Sequence, residues 1–187
     1  MASPPGATTG IEPRVVADPA TVRGEVLAAR QAGRRVGFVP TMGSLHAGHV
    51  SLVERAADAC DAVAVSIFVN PTQFGPGEDF ERYPRDLTAD LAMLAGQNVR
   101  WVYAPAAAAI YPPGHATRIV VDGPARRFEG EARRGHFSGV ATVVCRLFHD
   151  VPADVAYFGA KDWQQTLVVR RMVADLGLPI EIVVCPT

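Results

Sequence analysis

Two histidines three positions apart, His46 and His49, close the stretch Pro40-Thr41-Met42-Gly43-Ser44-Leu45-His46-Ala47-Gly48-His49. The apolar run Val36–Val39 precedes it and the helix-like Val50–Ala57 follows, so the pair opens a helix after a strand and a glycine-bearing turn. Imidazoles at this spacing share one helix face. Exposed amides and the dipole at a helix N-terminus favour an anion such as phosphate, and Gly48 leaves a nucleotide room to approach the backbone. The chemistry implied is a phosphate-handling pocket in which histidine meets a charged leaving group. A metal is the competing use of such a pair. Metal-binding helices of the His-Glu-x-x-His kind differ from this one, however, and no third ligand stands nearby. His-x-Gly-His points broadly to nucleotidyl transfer.

Lysine is the second signal. The chain carries 17 arginines and one lysine, Lys161, in Phe158-Gly159-Ala160-Lys161-Asp162-Trp163-Gln164-Gln165. Counting alone would allow an accident of coding. The setting, a strand-to-helix turn, lets a compact ammonium meet α- and β-phosphate oxygens and offset charge that builds at phosphorus. Asp162 beside it can accept from ribose hydroxyls or cap the next helix. A third segment, Asn70-Pro71-Thr72-Gln73-Phe74, supplies two carboxamides, which donate and accept at once and suit a substrate bearing hydroxyls and a carboxylate. Asn-Pro equally starts a turn.

These segments need a frame, and the hydrophobic pattern supplies one. Asp18-Pro19 predicts a cap and first position for a helix over Ala20–Ala32 that stops at Gly33. A strand over Arg35–Pro40, a helix over Gly48–Ala59 and a buried strand over Ala62–Val69 follow. A loop at Asn70–Phe80 leads to a helix over Arg85–Gln97 with a Leu87, Leu91, Leu94 stripe. Beyond it come a strand over Val99–Tyr103 and a looser region, Pro105–Arg134, with a short strand at Arg118–Val121. The last elements are a helix over His136–Asp150 with Val140, Val143, Val144 and Leu147 inward, a strand over Asp154–Phe158, a helix over Trp163–Leu176 and a strand over Ile180–Cys185. Alternating strands and helices predict a parallel sheet with helices on both faces. The three chemically loaded segments each follow a strand, so they can converge beyond its carboxyl ends. Neither Gly-x-Gly-x-x-Gly nor Gly-x-x-x-x-Gly-Lys-Ser/Thr occurs, which argues against a dinucleotide dehydrogenase or a P-loop kinase.

At 187 residues the chain is expected to form one domain with a substantial core. A net charge of −1 gives no electrostatic case for nucleic acid or an anionic membrane, and no apolar run approaches a bilayer span. Met1–Pro13 lacks the blocks of a secretory signal and reads as a flexible tail. Cys60, Cys145 and Cys185 form no metal or redox spacing, so reduced thiols in the cytoplasm are expected.

The extended Pro-Thr-Met-Gly-x-Leu-His-x-Gly-His resembles the pantothenate synthetase (pantoate–β-alanine ligase) family. Phe-Val-Asn-Pro-x-Gln-Phe at 68–74 is similar to its pantoate loop, with Thr72 where the family often has Met. Phe-Gly-x-Lys-Asp-x-Gln-Gln at 158–165 is similar to its nucleotide motif, with Ala160 in place of the usual Glu and Trp163 in place of a smaller aromatic. Tyr83-Pro84-Arg85, Asp90-Leu91, Tyr111-Pro112 and Gly135-His136-Phe137-x-Gly139-Val140-x-Thr142-Val143-Val144 fall in the family's order, so the resemblance spans about Arg34 to Thr187.

The resemblance implies a Rossmann-like α/β domain of the His-x-Gly-His nucleotidyltransferase type at 14–187, with a C-terminal domain absent. It implies that pantoate attacks the α-phosphorus of ATP, giving pantoyl adenylate, and that β-alanine then yields pantothenate. On this reading Met42, Gly43, His46, His49, Gly159, Lys161 and Asp162 line the ATP site, and Gln73 and Gln165 hold pantoate. His49 donates a proton or stabilises an oxyanion, while His46 and Lys161 neutralise phosphate. Mg2+ is held mainly by the nucleotide, and no protein ligand is named. Arg133 and Arg134 either steer a polyanion or are solvated, and His136 either contacts substrate or caps its helix. A homodimer is implied. In the family a Ser-Ser-Arg loop and a smaller domain follow the matched Pro186-Thr187, so a chain without them is expected to hold nucleotide weakly and turn over poorly or not at all. The alternatives are another His-x-Gly-His cytidylyl- or adenylyltransferase, and a nucleotide-binding or dimerisation domain without turnover.

Overall fold

A computed structural model describes residues 12–75, 77–78 and 80–186. The expected tail, Met1–Pro13, lies outside them except for its last two residues. The strands β1 (Arg14–Val16), β2 (Val36–Thr41), β3 (Ala62–Ile67), β4 (Val99–Tyr103), β5 (Val155–Gly159) and β6 (Glu181–Cys185) form a wholly parallel sheet in the order β1-β4-β3-β2-β5-β6. The longer helices are α1 (Pro19–Gln31), α2 (Ala47–Ala59), α3 (Leu87–Leu94), α6 (His136–Asp150) and α7 (Trp163–Leu176). Two single turns, α4 (Ala107–Ile110) and α5 (Glu129–Ala132), lie between them.

Side chains alternate across each strand, so the central strands feed two apolar layers. Val36 and Phe38 of β2 pack with Val22 and Val26 of α1, Val144 of α6 and Val168 of α7, whereas Val39 joins Leu52 and Val53 of α2 and Leu94 of α3. Burial on both faces is why β2 and β3 read as unbroken apolar runs. The helix starts follow their caps. Asp18 accepts the N–H of Thr21 at 2.8 Å ahead of α1, and Asp86 accepts that of Ala89 at 3.0 Å ahead of α3.

Several expectations need correction. α3 starts at Leu87 because Asp86 is its cap, and the Leu87 end of the predicted stripe is exposed while Leu94 is buried. Arg118–Val121 is not a strand. Hydroxyls of α6 satisfy its backbone instead: the N–H of Ile119 donates to Thr142 Oγ1 and Ser138 Oγ donates to the Ile119 carbonyl, both at 2.9 Å. β1 escaped the pattern because three residues are too few to show a period. α6 is buried nearly all round, Thr142 and Cys145 included, because it packs against α1, α7 and the 71–73 turn as well as the sheet. The three cysteines are free and buried. No helix among the described residues is long and apolar enough to cross a membrane.

Candidate active site

The segments leaving β2, β3 and β5 emerge along one edge of the sheet, because these strands run parallel. From β2 the chain builds β3 and β4 on one side, then returns to place β5 on the other, so the topological switch point lies between β2 and β5. Loops that diverge there leave a crevice where open α/β sheets bind ligands.

The loop after β2 is clamped to the sheet. Thr41 donates its hydroxyl to the Ser66 carbonyl at 2.6 Å and accepts the N–H of Gly43 at 3.2 Å. Gly43 (φ +81°) and Ser44 (φ +52°) both pass through left-handed backbone, and a β-carbon on Gly43 would stand 2.8 Å from the Asp90 carboxylate. Asp90, 3% exposed, accepts the N–H of Ser44 at 3.1 Å and of Leu45 at 2.7 Å. Sequence reasoning assigned Asp90 no role. An acid set into the Leu87, Leu91, Leu94 stripe was the available signal.

His46 lies outside the first turn of α2. It is the N-cap, extended at φ −144° and ψ 176°, and its Nδ1 accepts the N–H of Gly48 at 3.1 Å. As an acceptor Nδ1 carries no proton, so the neutral ring is protonated on Nε2. Gly48 also serves this contact, since a β-carbon there would fall 2.9 Å from His46 Cε1. The His46 carbonyl takes the N–H groups of His49 and Val50 at 2.8 and 3.1 Å. With three first-turn amides used internally, α2 offers an anion its dipole and its imidazoles rather than a bare row of donors.

The two rings lie 4.1 Å apart between centroids. His49 is half-buried, and its Nδ1 is buried without a partner among the described residues. Burial first, then His46 and the Lys161 ammonium, push its pKa below the ordinary value of 6.5, against the opposing pull of Asp90 and Asp162. The ring is therefore neutral at pH 7. Lys161, in the tight turn Ala160–Asp162 that follows β5, thus acts on His49 across the switch point. Lys161 is exposed and forms no ion pair among the described residues. Asp162 stands at the N-cap of α7, exposed, and its side chain makes no capping hydrogen bond among the described residues. Gly159 ends β5, half-buried.

Backbone anchors fix the orientation of Gln73. Asn70 Oδ1 accepts the N–H of Thr72 at 3.3 Å, and its Nδ2 donates to the Gly139 carbonyl at 3.2 Å, so the Asn70 amide can face only one way. The same Nδ2 donates to Gln73 at 3.1 Å, which makes that atom Oε1 and turns the Gln73 NH2 outward to Met42 Sδ at 3.1 Å. Gln73 is buried and presents a donor. Gln165, half-buried in the first turn of α7, has no hydrogen-bond partner among the described residues. Its neighbour Gln164 is structural, accepting the N–H of Glu129 and donating to the carbonyls of Pro124 and Arg127. Arg133 is not free to steer a polyanion: Glu78 and Glu129 both pair with it at 2.8 Å. A cavity of about 310 Å³ lined by Met42, Gly43, Asp90 and Arg85 opens beside the clamped loop. Among the described residues no three His, Cys, Asp or Glu side chains converge as a metal ion would need.

The family model described as pantoate-beta-alanine ligase matches residues 14–187. Pantothenate synthetase of Chloroflexus aurantiacus is 58% identical over 159 residues, covering 85% of this chain and 57% of its own length. That of Roseiflexus castenholzii is 59% identical over 164 residues, covering 87% and 59%. The crystal structure of the Thermus thermophilus enzyme superposes with a TM-score of 0.87 at 54% identity, over 93% of this chain and 62% of that one. Pantoate-beta-alanine ligase from Francisella tularensis, solved in complex with beta-gamma ATP and beta-alanine, gives 0.88 at 38% identity, over 94% and 67%. The chain spans less than three fifths of the length of these two sequence relatives.

Proposed function

The chain belongs to the pantoate–β-alanine ligase family, and from that premise we propose that its crevice binds ATP and pantoate for the ATP-dependent synthesis of pantothenate. The observation that carries the reading is the pairing of His46 and His49, ring centroids 4.1 Å apart, beside a switch point across which the Lys161 charge bears on His49. In the first step a pantoate carboxylate oxygen bonds to the α-phosphorus of ATP while the bond to the β-phosphate oxygen breaks. Pyrophosphate leaves and pantoyl adenylate remains. In the second the β-alanine amine bonds to the acyl carbon, AMP departs, and the amine proton passes to solvent or a base.

Two anions must approach in the first step, so positive charge and donors have to be in place beforehand. Lys161 supplies a mobile cation, and His46, protonated on Nε2, supplies a donor without needing a second proton. His49 starts neutral with a buried, unpartnered nitrogen. Phosphate nearby favours its protonation, which would let it donate as charge develops on oxygen. Gln73 and Gln165 orient pantoate, making attack effectively intramolecular. Met42, Gly43 and Gly159 line the nucleotide, and Asp162 meets its ribose. A magnesium ion carried on the phosphates would lower their charge. No residue of this chain is assigned to the metal, which commonly keeps waters and substrate oxygens. A homodimer is included in the proposal.

ATP–pyrophosphate exchange tests the reading. Exchange that requires pantoate supports it. Exchange driven instead by a phosphorylated acceptor would assign a different nucleotidyl transfer, and ATP binding without pantoate binding would leave only a nucleotide-binding domain.

A further inference from the structure

We propose that His136 is the positioning residue of the acid-substrate subsite, fixing the backbone of Gln73 so that its carboxamide meets pantoate as a pre-set donor. The inference rests on the reading of Gln73 as an anchor for that acid.

His136 is 8% exposed, and both its ring nitrogens have partners of fixed polarity. Nδ1 lies 2.9 Å from the Gln73 carbonyl, which can only accept, so Nδ1 carries the proton. Nε2 lies 3.2 Å from Arg133 Nη1, which can only donate, whereas the Glu129 carboxylate oxygen stands 3.7 Å away, beyond hydrogen-bond reach, so Nε2 is the bare lone pair. One neutral tautomer is thereby locked from both sides. It has no nitrogen left for substrate, which removes the alternative of direct contact. Nor does the ring cap α6, whose N-cap is Gly135.

The imidazole is anchored in turn. Arg133 donates to both carboxylate oxygens of Glu78 at 2.8 Å and to Glu129 at 2.8 Å. Hydrogen bonding from Arg133, with help from the Gly75 N–H, pulls the Glu78 pKa down to about 2. His136 therefore transmits a fixed position from this ion-pair network to Gln73.

A separate observation places the same two segments in contact. The first turn of α6 presses on the 71–73 turn so closely that a β-carbon on Gly139 would stand 2.4 Å from the Thr72 carbonyl oxygen and 2.7 Å from Gln73 Cα. Gln73 is thus gripped at its carbonyl by His136 and at its amide by Asn70, which itself donates to the Gly139 carbonyl. Freeing the carbonyl lets the peptide plane rotate and swings the side chain. Small misplacements of an orienting group are costly to binding and reaction.

The test combines calorimetric titration of ATP and of pantoate with long-range proton–nitrogen NMR of the imidazoles. His136→Ala is expected to lose pantoate affinity by about tenfold, the worth of one buried hydrogen bond, with ATP affinity held within about twofold. His136→Asn, whose amide nitrogen falls near the position of Nδ1, should recover most of the loss. The wild-type ring should be protonated on Nδ1. Unchanged pantoate binding in His136→Ala, an equal loss for ATP, or a wild-type ring protonated on Nε2 would each overturn the inference. If the Ala variant does not fold, the Asn variant and the wild-type tautomer decide, with weak pantoate binding by a folded Asn variant counting against. A wild-type chain indifferent to pantoate would remove the functional reading and this inference with it, whereas a failure confined to the variants removes the inference alone.

Discussion

The carboxylate of Asp90 holds the N–H of Leu45 at 2.7 Å, tying the first turn of α3 to the loop that delivers His46. The bond compensates a costly pairing of a buried acid with a left-handed loop. Replacing Asp90 with Ala strands the Leu45 donor, and the expected loss of stability is about 1–3 kcal/mol. Asp90→Asn keeps one acceptor and should fall between. Because the same loop carries Met42 and Gly43, ATP affinity should decline in the same order. Urea denaturation and ATP titration of the two variants check this, and wild-type values in Asp90→Ala would show the clamp to be idle.

His49 should impose a pH dependence on folding. Its folded ring holds a proton less tightly than the unfolded one, so the unfolded chain takes up the proton first as pH falls. The stability His49 contributes is whole above the ordinary value of 6.5 and is lost as pH drops from there through the folded pKa. His49→Gln should flatten that part of the stability profile. A bound triphosphate reverses the bias by favouring the imidazolium, so ATP binding near pH 6 should take up a proton. Calorimetry in two buffers of different ionisation heat would detect the uptake, and identical heats would contradict it.

The sheet and most helices were legible because burial on one face or two writes a period into the residues. α6 and α7 match the expected His136–Asp150 and Trp163–Leu176 end for end. What stayed hidden depends on tertiary partners. Arg118–Val121 looks like a strand, yet its hydrogen bonds go to α6 hydroxyls, which no local pattern reveals. At the site, the types and order of His46, His49, Gln73 and Lys161 were readable, but their states were not. That Gln73 shows its donor face follows from Asn70 and the Gly139 carbonyl, far away in sequence. His136 and Asp90 act by holding backbone, a role that residue type alone does not announce.

Gly139 makes the contact between α6 and the 71–73 turn testable without touching a polar group. Alanine normally favours a helix over glycine, but here its methyl would meet the rigid Thr72 carbonyl at 2.4 Å. Gly139→Ala should therefore cost about 1–3 kcal/mol through overpacking and weaken pantoate more than ATP. Gly24, exposed within α1 with nothing within 4 Å of its would-be β-carbon, is the control. Gly24→Ala should stabilise by about 0.5–1 kcal/mol and leave both ligands unaffected. Thermal melts and paired titrations separate the two, and a stabilised Gly139→Ala would refute the close approach.

Lys161 is the sole lysine of the chain, so an amine-directed acylating reagent has only this side chain and the amino terminus to modify. ATP should protect Lys161 and not the terminus, as read by peptide mass spectrometry. Lys161→Met should weaken ATP by roughly tenfold or more, the worth of one charge-assisted hydrogen bond. The same substitution removes a cation that depresses His49, so the His49 pKa should rise in the ligand-free protein. Lys161→Arg keeps the charge and should leave the His49 titration low, while its planar fork restores ATP binding only in part. An imidazole titration in Lys161→Met that superposes on wild type would mean that Lys161 and His49 do not share a site, and the nucleotide reading of the crevice would fall with that result.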